Sequence, residues 1–390
     1  MIRISYLKKN TDNNLIYLLF ASIFLPYYIT AVSLVGSVIY IIKKQKISGC
    51  FEKNGGIWAI LFAVYTVIIA AINLNFIGIA CSVGFIALII ISKFVREHIT
   101  LEVFEKGLNI TCFMGIITTA LCLFDFVYNQ FILSYNGTYR STLYFFNTNY
   151  LATLFATVII VCGYKVLFHK GKAIIYYITA LICALGAYLT GSMFVWVEVF
   201  IGCAAILMIT RKHQLLSALF LLAGTLIIVI YCIPNLIPRI DQSNLTIDIR
   251  IRIWKTTIKA IKEASPIFGR GFLTYFHVKD SFRGSYNTAH AHSIFLEPIL
   301  SFGIIGTILI VTYFSKFYKR VIVCRNAQHK IGISSLILAI SFGILVHATT
   351  DLTFMWIQTA LFYALIFSSI GIEEYLLKIK KGIFKGMTHK

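Results

Sequence analysis

The sequence predicts an all-α polytopic membrane protein of about twelve transmembrane helices, with one large extracytoplasmic loop that carries an interfacial amphipathic helix. Three observations lead there. Only 13% of the residues are charged and 59% are hydrophobic, whereas a soluble globular chain averages about 25% charged. The apolar residues are gathered into a succession of runs of membrane-spanning length. Basic residues crowd into every second connector between those runs, as the positive-inside rule requires. The reading is of one membrane domain, 1–390, with the loop 234–290 as a subdomain within it.

Residues 1–14 are polar and basic, with Arg3, Lys8 and Lys9. The apolar run 15–42 follows, interrupted by Pro26-Tyr27-Tyr28. It is too long for a cleavable signal peptide, and no small-residue cleavage site follows it. As one straight helix it would extend ~42 Å, more than a ~30 Å hydrocarbon core needs. It is also flanked by basic clusters at both ends, since Lys43, Lys44 and Lys46 come next. A hairpin broken at Pro26 puts both clusters on one side.

Further spans are expected at about 57–72, 76–92, 108–132, 143–163, 173–190, 193–210, 215–233, 291–314, 332–349 and 352–372. With the hairpin they make twelve. Connectors on one side then hold 25 Lys and Arg, and those on the other hold ten. The expected arrangement is multi-pass, with both termini cytoplasmic. The nine cysteines lie mostly inside apolar runs and form no CxxC pair, so they read as small buried hydrophobes and not as a disulfide framework or zinc site.

The loop 234–290 departs from this pattern. It carries Arg239, Arg250, Arg252, Lys255, Lys259, Lys262, Arg270, Lys279 and Arg283 against Asp241, Asp248, Glu263 and Asp280. Long loops translocate regardless of charge, but this excess of positive charge also suits an anionic partner. Within it, residues 249–264 repeat Ile251, Trp254, Ile258 and Ile261 at helical spacing, with Arg252, Lys255, Lys259 and Lys262 offset by one. That is an amphipathic helix lying in the membrane interface, stopped by Pro266 and Gly269.

The chain has no internal repeat, dinucleotide fingerprint or phosphate-binding loop, and nothing in it points to nucleic acid. A transporter or flippase remains the competing class. It lacks support from any pair of Gly- or Pro-broken spans in matching positions.

Candidate chemistry gathers in residues 287–306. His290 and His292 stand before an apolar segment that holds Glu297, Gly303 and Gly306. Two histidines suggest a metal, but no third ligand is obvious nearby in the sequence, so none is expected. A histidine that titrates near neutral pH suits general acid–base work on a hydroxyl. Glu297 is ionisable within a span and therefore a functional candidate, while Gly303 and Gly306 read as residues that permit close helix packing. Arg250 and Arg252, before Trp254, suit bidentate binding of phosphate oxygens. Arg140, Asn147 and Asn149 form a second polar cluster on the same side, able to assist with phosphate or sugar hydroxyls. Asp125 lies within a span and has a functional prior. Asp351 reads as a solvated turn residue.

These residues also carry a resemblance. His292-Ser293, nine residues, then Gly303-Ile304-Ile305-Gly306 is similar to the pattern H-[N/S/Q]-x9-G-x-x-G of the O-antigen ligase and O-antigen polymerase family. Arg250-x3-Trp254 followed by Pro266-x2-Gly269-x-Gly271 resembles that family's upstream segment, and Arg140 with Asn147 and Asn149 its arginine and asparagine segment. The resemblance implies a GT-C-like, metal-independent glycosyltransferase that needs no cofactor. Its donor would be an undecaprenyl-diphosphate-linked glycan and its acceptor a glycan or a lipid, on the outer face. Membrane lipids and a chain-length regulator protein would be its partners. Arg250 would hold the diphosphate and His292 would orient or deprotonate the acceptor, with Arg252, Arg140, His290, Asn147 and Asn149 binding substrate and Gly303, Gly306 and Trp254 structural. Polymerisation of repeat units is the expected activity; ligation to a lipid or protein acceptor is the alternative. The family's T-x-S-R stretch reads Thr190-Gly191-Ser192-Met193 here. Either Arg140 or Arg252 takes over that charge, or the register slips at this point, or the activity is altered.

Overall fold

The computed structural model describes residues 11–44, 56–135, 139–168, 173–233, 243–263, 266–327 and 331–387. Arg3, Lys8, Lys9, Lys46, Arg239 and Asp241 lie outside the described residues. The described chain is helical: α1 (Thr11–Ser22), α2 (Tyr27–Lys43), α3 (Gly56–Ile72), α4 (Phe76–His98), α5 (Leu101–Val127), α6 (Thr148–Phe168), α7 (Ala173–Leu189), α8 (Phe194–Ile209), α9 (His213–Cys232), α10 (Ser243–Glu263), α11 (Thr274–Val278), α12 (Leu296–Asn326), α13 (Ile333–His347), α14 (Ile357–Ser368) and α15 (Ile370–Met387). Six helical stretches among the described residues are long and apolar enough to cross a membrane, and five shorter apolar helices accompany them.

Proline lacks the N–H that would carry a helix through position 26, and the chain breaks there into α1 and α2. The break is a hairpin: the Tyr40 hydroxyl, late in α2, donates to Asp12 Oδ1 at the start of α1 (2.9 Å). At 12 residues, α1 is only ~18 Å long, so it does not cross a bilayer alone.

The core is built around α6, whose sixteen buried residues lie on every side of the helix. A helix apolar all round belongs inside a bundle, and α5, α7, α8, α13 and α14 pack about it. The expected span 143–163 begins later than its hydrophobicity suggested. Leu143 and Phe146 have positive φ, and Asn147 Oδ1 accepts the Asn149 N–H (2.8 Å), which fixes a turn ahead of α6.

The last expected span, 352–372, is also divided. A short 3₁₀ turn, Thr353–Met355, precedes α14, and α15 starts afresh at Ile370. In addition, α12 begins at Leu296, not at 291, because Ser293 Oγ accepts from the N–H groups of Phe295 and Leu296 (both 3.3 Å) and so ends the preceding loop.

The expected amphipathic helix is present as α10. Ile253, Thr257 and Ala260 are buried against α12 and α11, and Trp254 and Ile261 of the expected stripe are partly buried against the same cluster. Ile251 and Ile258 of that stripe are exposed on the protein surface.

A further correction concerns Gly303. It was expected to allow close helix packing; it breaks α12 instead, with φ 62° and ψ −173°, a conformation essentially confined to glycine. The break leaves backbone groups without helical partners, and the loop 266–271 supplies them. Ser301 O accepts from the N–H groups of Arg270 (3.1 Å) and Gly271 (2.7 Å), and Ile304 and Ile305 donate to the carbonyls of Pro266 (3.0 Å) and Ile267 (3.2 Å). A Cβ on Gly303 would stand 2.3 Å from Ile267 O. The hydroxyl of Tyr65, from α3, donates to Phe268 O (2.6 Å) and Phe302 O (3.0 Å) and clamps both strands of the junction. Gly306 does act in packing: its Cα lies against the Tyr65 ring.

Candidate functional site

The loop 287–295 hangs from the start of α12, and the carboxylate of Glu297 holds it. Glu297 is buried; its Oε2 accepts the Ala291 N–H (2.7 Å) and its Oε1 accepts from Ser301 Oγ (2.6 Å). Ala291 lies between the two histidines, so Glu297 sets where both stand. The loop is pinned from two other directions: Ile294 N–H donates to Ala348 O (2.9 Å), and Trp254 Nε1, from α10, donates to His292 O (3.4 Å). His292 itself sits at φ 50°, a left-handed conformation that histidine tolerates better than most residues but that still needs such fixing.

The side chain of His292 bridges two groups. Its Nε2 lies 2.8 Å from Thr288 Oγ1, and its Nδ1 lies 3.3 Å from Asp351 Oδ1. Asp351 was expected to be a solvated turn residue. It is instead 1% exposed and central to the cluster. The turn after α13 buries it, with its own N–H on His347 O (3.0 Å), and Asn149 Nδ2 donates to its Oδ2 (2.5 Å). His290 Nε2 approaches the same Oδ1 at 3.5 Å.

Burial alone would raise the Asp351 pKa, but His292, His290 and His347 outweigh it and hold the carboxyl well below its ordinary range. Asp351 is therefore an anion at neutral pH. Burial, followed by the neighbouring His292, pushes His290 down to about 4, so His290 is neutral there.

Behind Asp351 a polar chain enters the bundle. His347 Nδ1 meets Glu198 Oε2 at 2.6 Å, and Thr153 Oγ1 lies 3.2 Å from each partner and 2.8 Å from Thr353 Oγ1. Sequence reasoning missed Glu198 and His347. The available signal was an ionisable residue inside an apolar span, in each case.

The expected arginines approach from two sides. Arg250 lies on α10 one turn before Trp254, and its guanidinium covers the Phe194 ring at 5.1 Å. Phe194 in turn stacks near His347 (6.4 Å between ring centroids). Arg140 donates from Nε to Thr190 O (2.9 Å) and from its NH2 group to Thr148 Oγ1, and its chain lies along Gly191. Arg140 and Arg250 thus flank the turn Thr190-Gly191-Ser192-Met193 from opposite ends. Arg252, one step along the helix, is on the exposed side of α10.

Asn147 is used as the turn cap before α6, and Asn149 is engaged with Asp351. Asp125 is a tether: it accepts from Ser141 Oγ (2.6 Å), Tyr139 OH (3.2 Å) and Asn129 Nδ2 (3.0 Å), which fixes the turn that presents Arg140. Asn136, Gly137 and Thr138 lie outside the described residues.

A cavity of about 2190 Å³ opens beside this cluster. Ala289, His290 and Tyr150 line one end, and Arg96 and Arg320 line the other. Its walls run the length of α4, whose 23 residues extend ~35 Å. Trp356, stacked on Phe146 (5.5 Å) and Tyr150 (5.1 Å), forms a rim near the histidines.

Because Glu297 positions the loop, Glu297→Ala should loosen residues 287–295 and raise their backbone hydrogen exchange at least tenfold while the protein still accumulates in the membrane. Glu297→Gln keeps an oxygen for the Ala291 N–H and should leave most of the protection in place. Hydrogen exchange on the purified full chain checks both; equal exchange in Glu297→Ala and wild type would refute the role.

A family model described as O-antigen ligase matches residues 178–311. That stretch contains the Thr190–Met193 turn, α10, the Gly269–Gly303 junction and His292. The search of curated proteins found no match.

Proposed function

We propose, for a chain that belongs to the O-antigen ligase family through residues 178–311, that it polymerises oligosaccharide repeat units from an undecaprenyl-diphosphate-linked donor on the outer face of the cytoplasmic membrane. One observation supports this reading: His292 faces the buried anion Asp351, its carbonyl is held by Trp254 of the helix that carries Arg250, Arg250 and Arg140 reach the two ends of the Thr190–Phe194 segment, and the neighbouring His290 lines a long, mostly apolar cavity.

The chemistry divides among these parts. An acceptor hydroxyl attacks the anomeric carbon, the bond from that carbon to the diphosphate oxygen breaks, and the hydroxyl proton must leave. His292 Nε2 takes that proton. Its neighbour Thr288 Oγ1, at 2.8 Å, marks where a hydroxyl sits in hydrogen-bond reach of the base. Asp351, anionic and 3.3 Å from Nδ1, favours the imidazolium that results. Arg250 and Arg140 neutralise the departing diphosphate as its charge grows. The apolar cavity accepts the polyprenyl chain.

Ligation to a lipid or protein acceptor uses the same groups and differs only in what brings the hydroxyl. The reading is tested with Arg250→Ala in cells that display the polymer. The variant should lose about 10²-fold in transfer, the scale of removing one preorganised charge donor, and accumulate single-repeat lipid-linked units. Full-length polymer left on the lipid carrier would assign ligation, and normal surface polymer at normal protein level would overturn the reading.

A further inference from the structure

We infer that His290 Nε2, His292 Nδ1 and Asp351 Oδ1 form a binding site for a divalent transition-metal ion, zinc foremost. The three atoms all lie within 4.8 Å of one another. Asp351 Oδ1 is 3.5 Å from the first nitrogen and 3.3 Å from the second. Zinc binds imidazole nitrogen and carboxylate oxygen at about 2.0–2.2 Å in a tetrahedron, whose edges are then roughly 3.3–3.5 Å. Both separations match such an edge, and the third, between the two nitrogens, is within 4.8 Å, with the rings 4.3 Å apart between centroids.

An independent observation points to the same place. Asp351 Oδ1 is fully buried and faces only the two imidazole nitrogens, at 3.3 and 3.5 Å and without good hydrogen-bond geometry to either, although Oδ2 of the same carboxylate is bonded to Asn149. A buried anionic oxygen without a hydrogen bond is uncommon, and an ion that completes it is one of the ordinary explanations. The surroundings are also those of a ligand set. Thr288 meets the far nitrogen of His292, Asn149 holds the far oxygen of Asp351, and Glu297 holds the backbone between the histidines. Such outer contacts orient ligands toward a metal. One contact must yield: His290 Nδ1 accepts the His292 N–H at 3.3 Å, so its ring proton is on Nε2 without metal; binding through Nε2 moves that proton to Nδ1, and the His292 N–H loses this acceptor. Two imidazoles and one carboxylate favour zinc and its neighbours over magnesium or calcium. Three protein ligands leave a fourth position open.

The site stands on these three groups alone. Its effect on transfer rests on the function proposed above: an ion held by His292 and Asp351 removes the base, so a filled site is a stopped enzyme.

Binding is tested without reference to activity. The full chain in lipid nanodiscs is stripped with chelator and dialysed against Co²⁺, with metal counted by mass spectrometry and coordination read from visible absorption. One Co²⁺ per chain with four-coordinate absorption is expected. Asp351→Asn and, separately, His290→Gln should weaken binding tenfold or more, while His277→Gln, at an exposed histidine, should not. Absence of stoichiometric binding, or affinity unchanged in both Asp351→Asn and His290→Gln, overturns the site. The His290 variant keeps the test open if the Asp351 variant does not fold. If the ion binds but leaves transfer untouched, the site stands and His292 is not the base.

Discussion

His292→Ala is expected to abolish polymer, with a loss of 10²–10⁴-fold, the range a positioned general base contributes. Asp351→Asn should follow it closely. The asparagine keeps the size of the side chain but removes the negative charge that His292 and His290 face at 3.3 and 3.5 Å, so the imidazolium formed during transfer loses its counter-ion. The double variant should be no worse than His292→Ala, because the carboxylate acts through the histidine and residues acting as a unit are not additive. Transfer from a lipid-linked repeat unit by purified protein in nanodiscs measures all three. A double variant much slower than His292→Ala would separate Asp351 from the histidine, and an active His292→Ala would remove the base altogether.

Gly303→Ala carries the other large effect. The glycine has φ 62° and ψ −173°, where an alanine is strained by about 1–3 kcal/mol. Its new Cβ would also meet the backbone carbonyl of Ile267 at 2.3 Å. Backbone atoms cannot step aside as a side chain can, so the loop 266–271 must leave α12. Four backbone hydrogen bonds go with it, each worth about 1 kcal/mol net and more if its groups are left buried without partners. A loss of this size is a large part of a stability of about 5–15 kcal/mol.

Gly306→Ala is the internal comparison. Its Cβ would meet Tyr65 at 2.7 Å and the Phe302 Cβ at 2.6 Å, so it also needs a local shift, but it meets no backbone carbonyl and has no positive φ. In a thermal series followed by fluorescence size-exclusion, Gly303→Ala should precipitate or melt far below wild type and Gly306→Ala less far below. Equal melting of Gly303→Ala and wild type would show that the junction does not need the break.

These two positions also show what the sequence made legible. Composition and charge alternation announced the membrane helices, because lipid imposes length and polarity on every span independently of its neighbours. The hairpin at Pro26 and the existence of α10 were legible for the same local reason. Motif spacing singled out His292 and the arginines as candidates. Asp351 did not, since its importance lies in which side chains surround it after folding, and nothing within the turn 348–352 records that. Glu198 and His347 are hidden in the same way, each a lone ionisable residue until they meet across two helices. Gly303 was misread because G-x-x-G describes close packing and a break equally well. What decides is the loop 266–271, which supplies the hydrogen bonds that a break requires. The protein-facing residues of α10, Ile253, Thr257 and Ala260, were not legible, because contact with α11 and α12 decides them.

The burial of Asp351 beside His292 also bears on biogenesis. The aspartate comes about sixty residues later in the chain than the histidine. At about 5–20 residues per second, that is roughly 3–12 s of synthesis. During that interval the nascent protein has its histidines and its arginines in the membrane but no carboxylate between them. Asp351 reaches its place only when α13 has entered and its following turn has folded back. On the proposed function, a chain halted before then would hold His292 without its counter-ion, so the site is completed only late in synthesis.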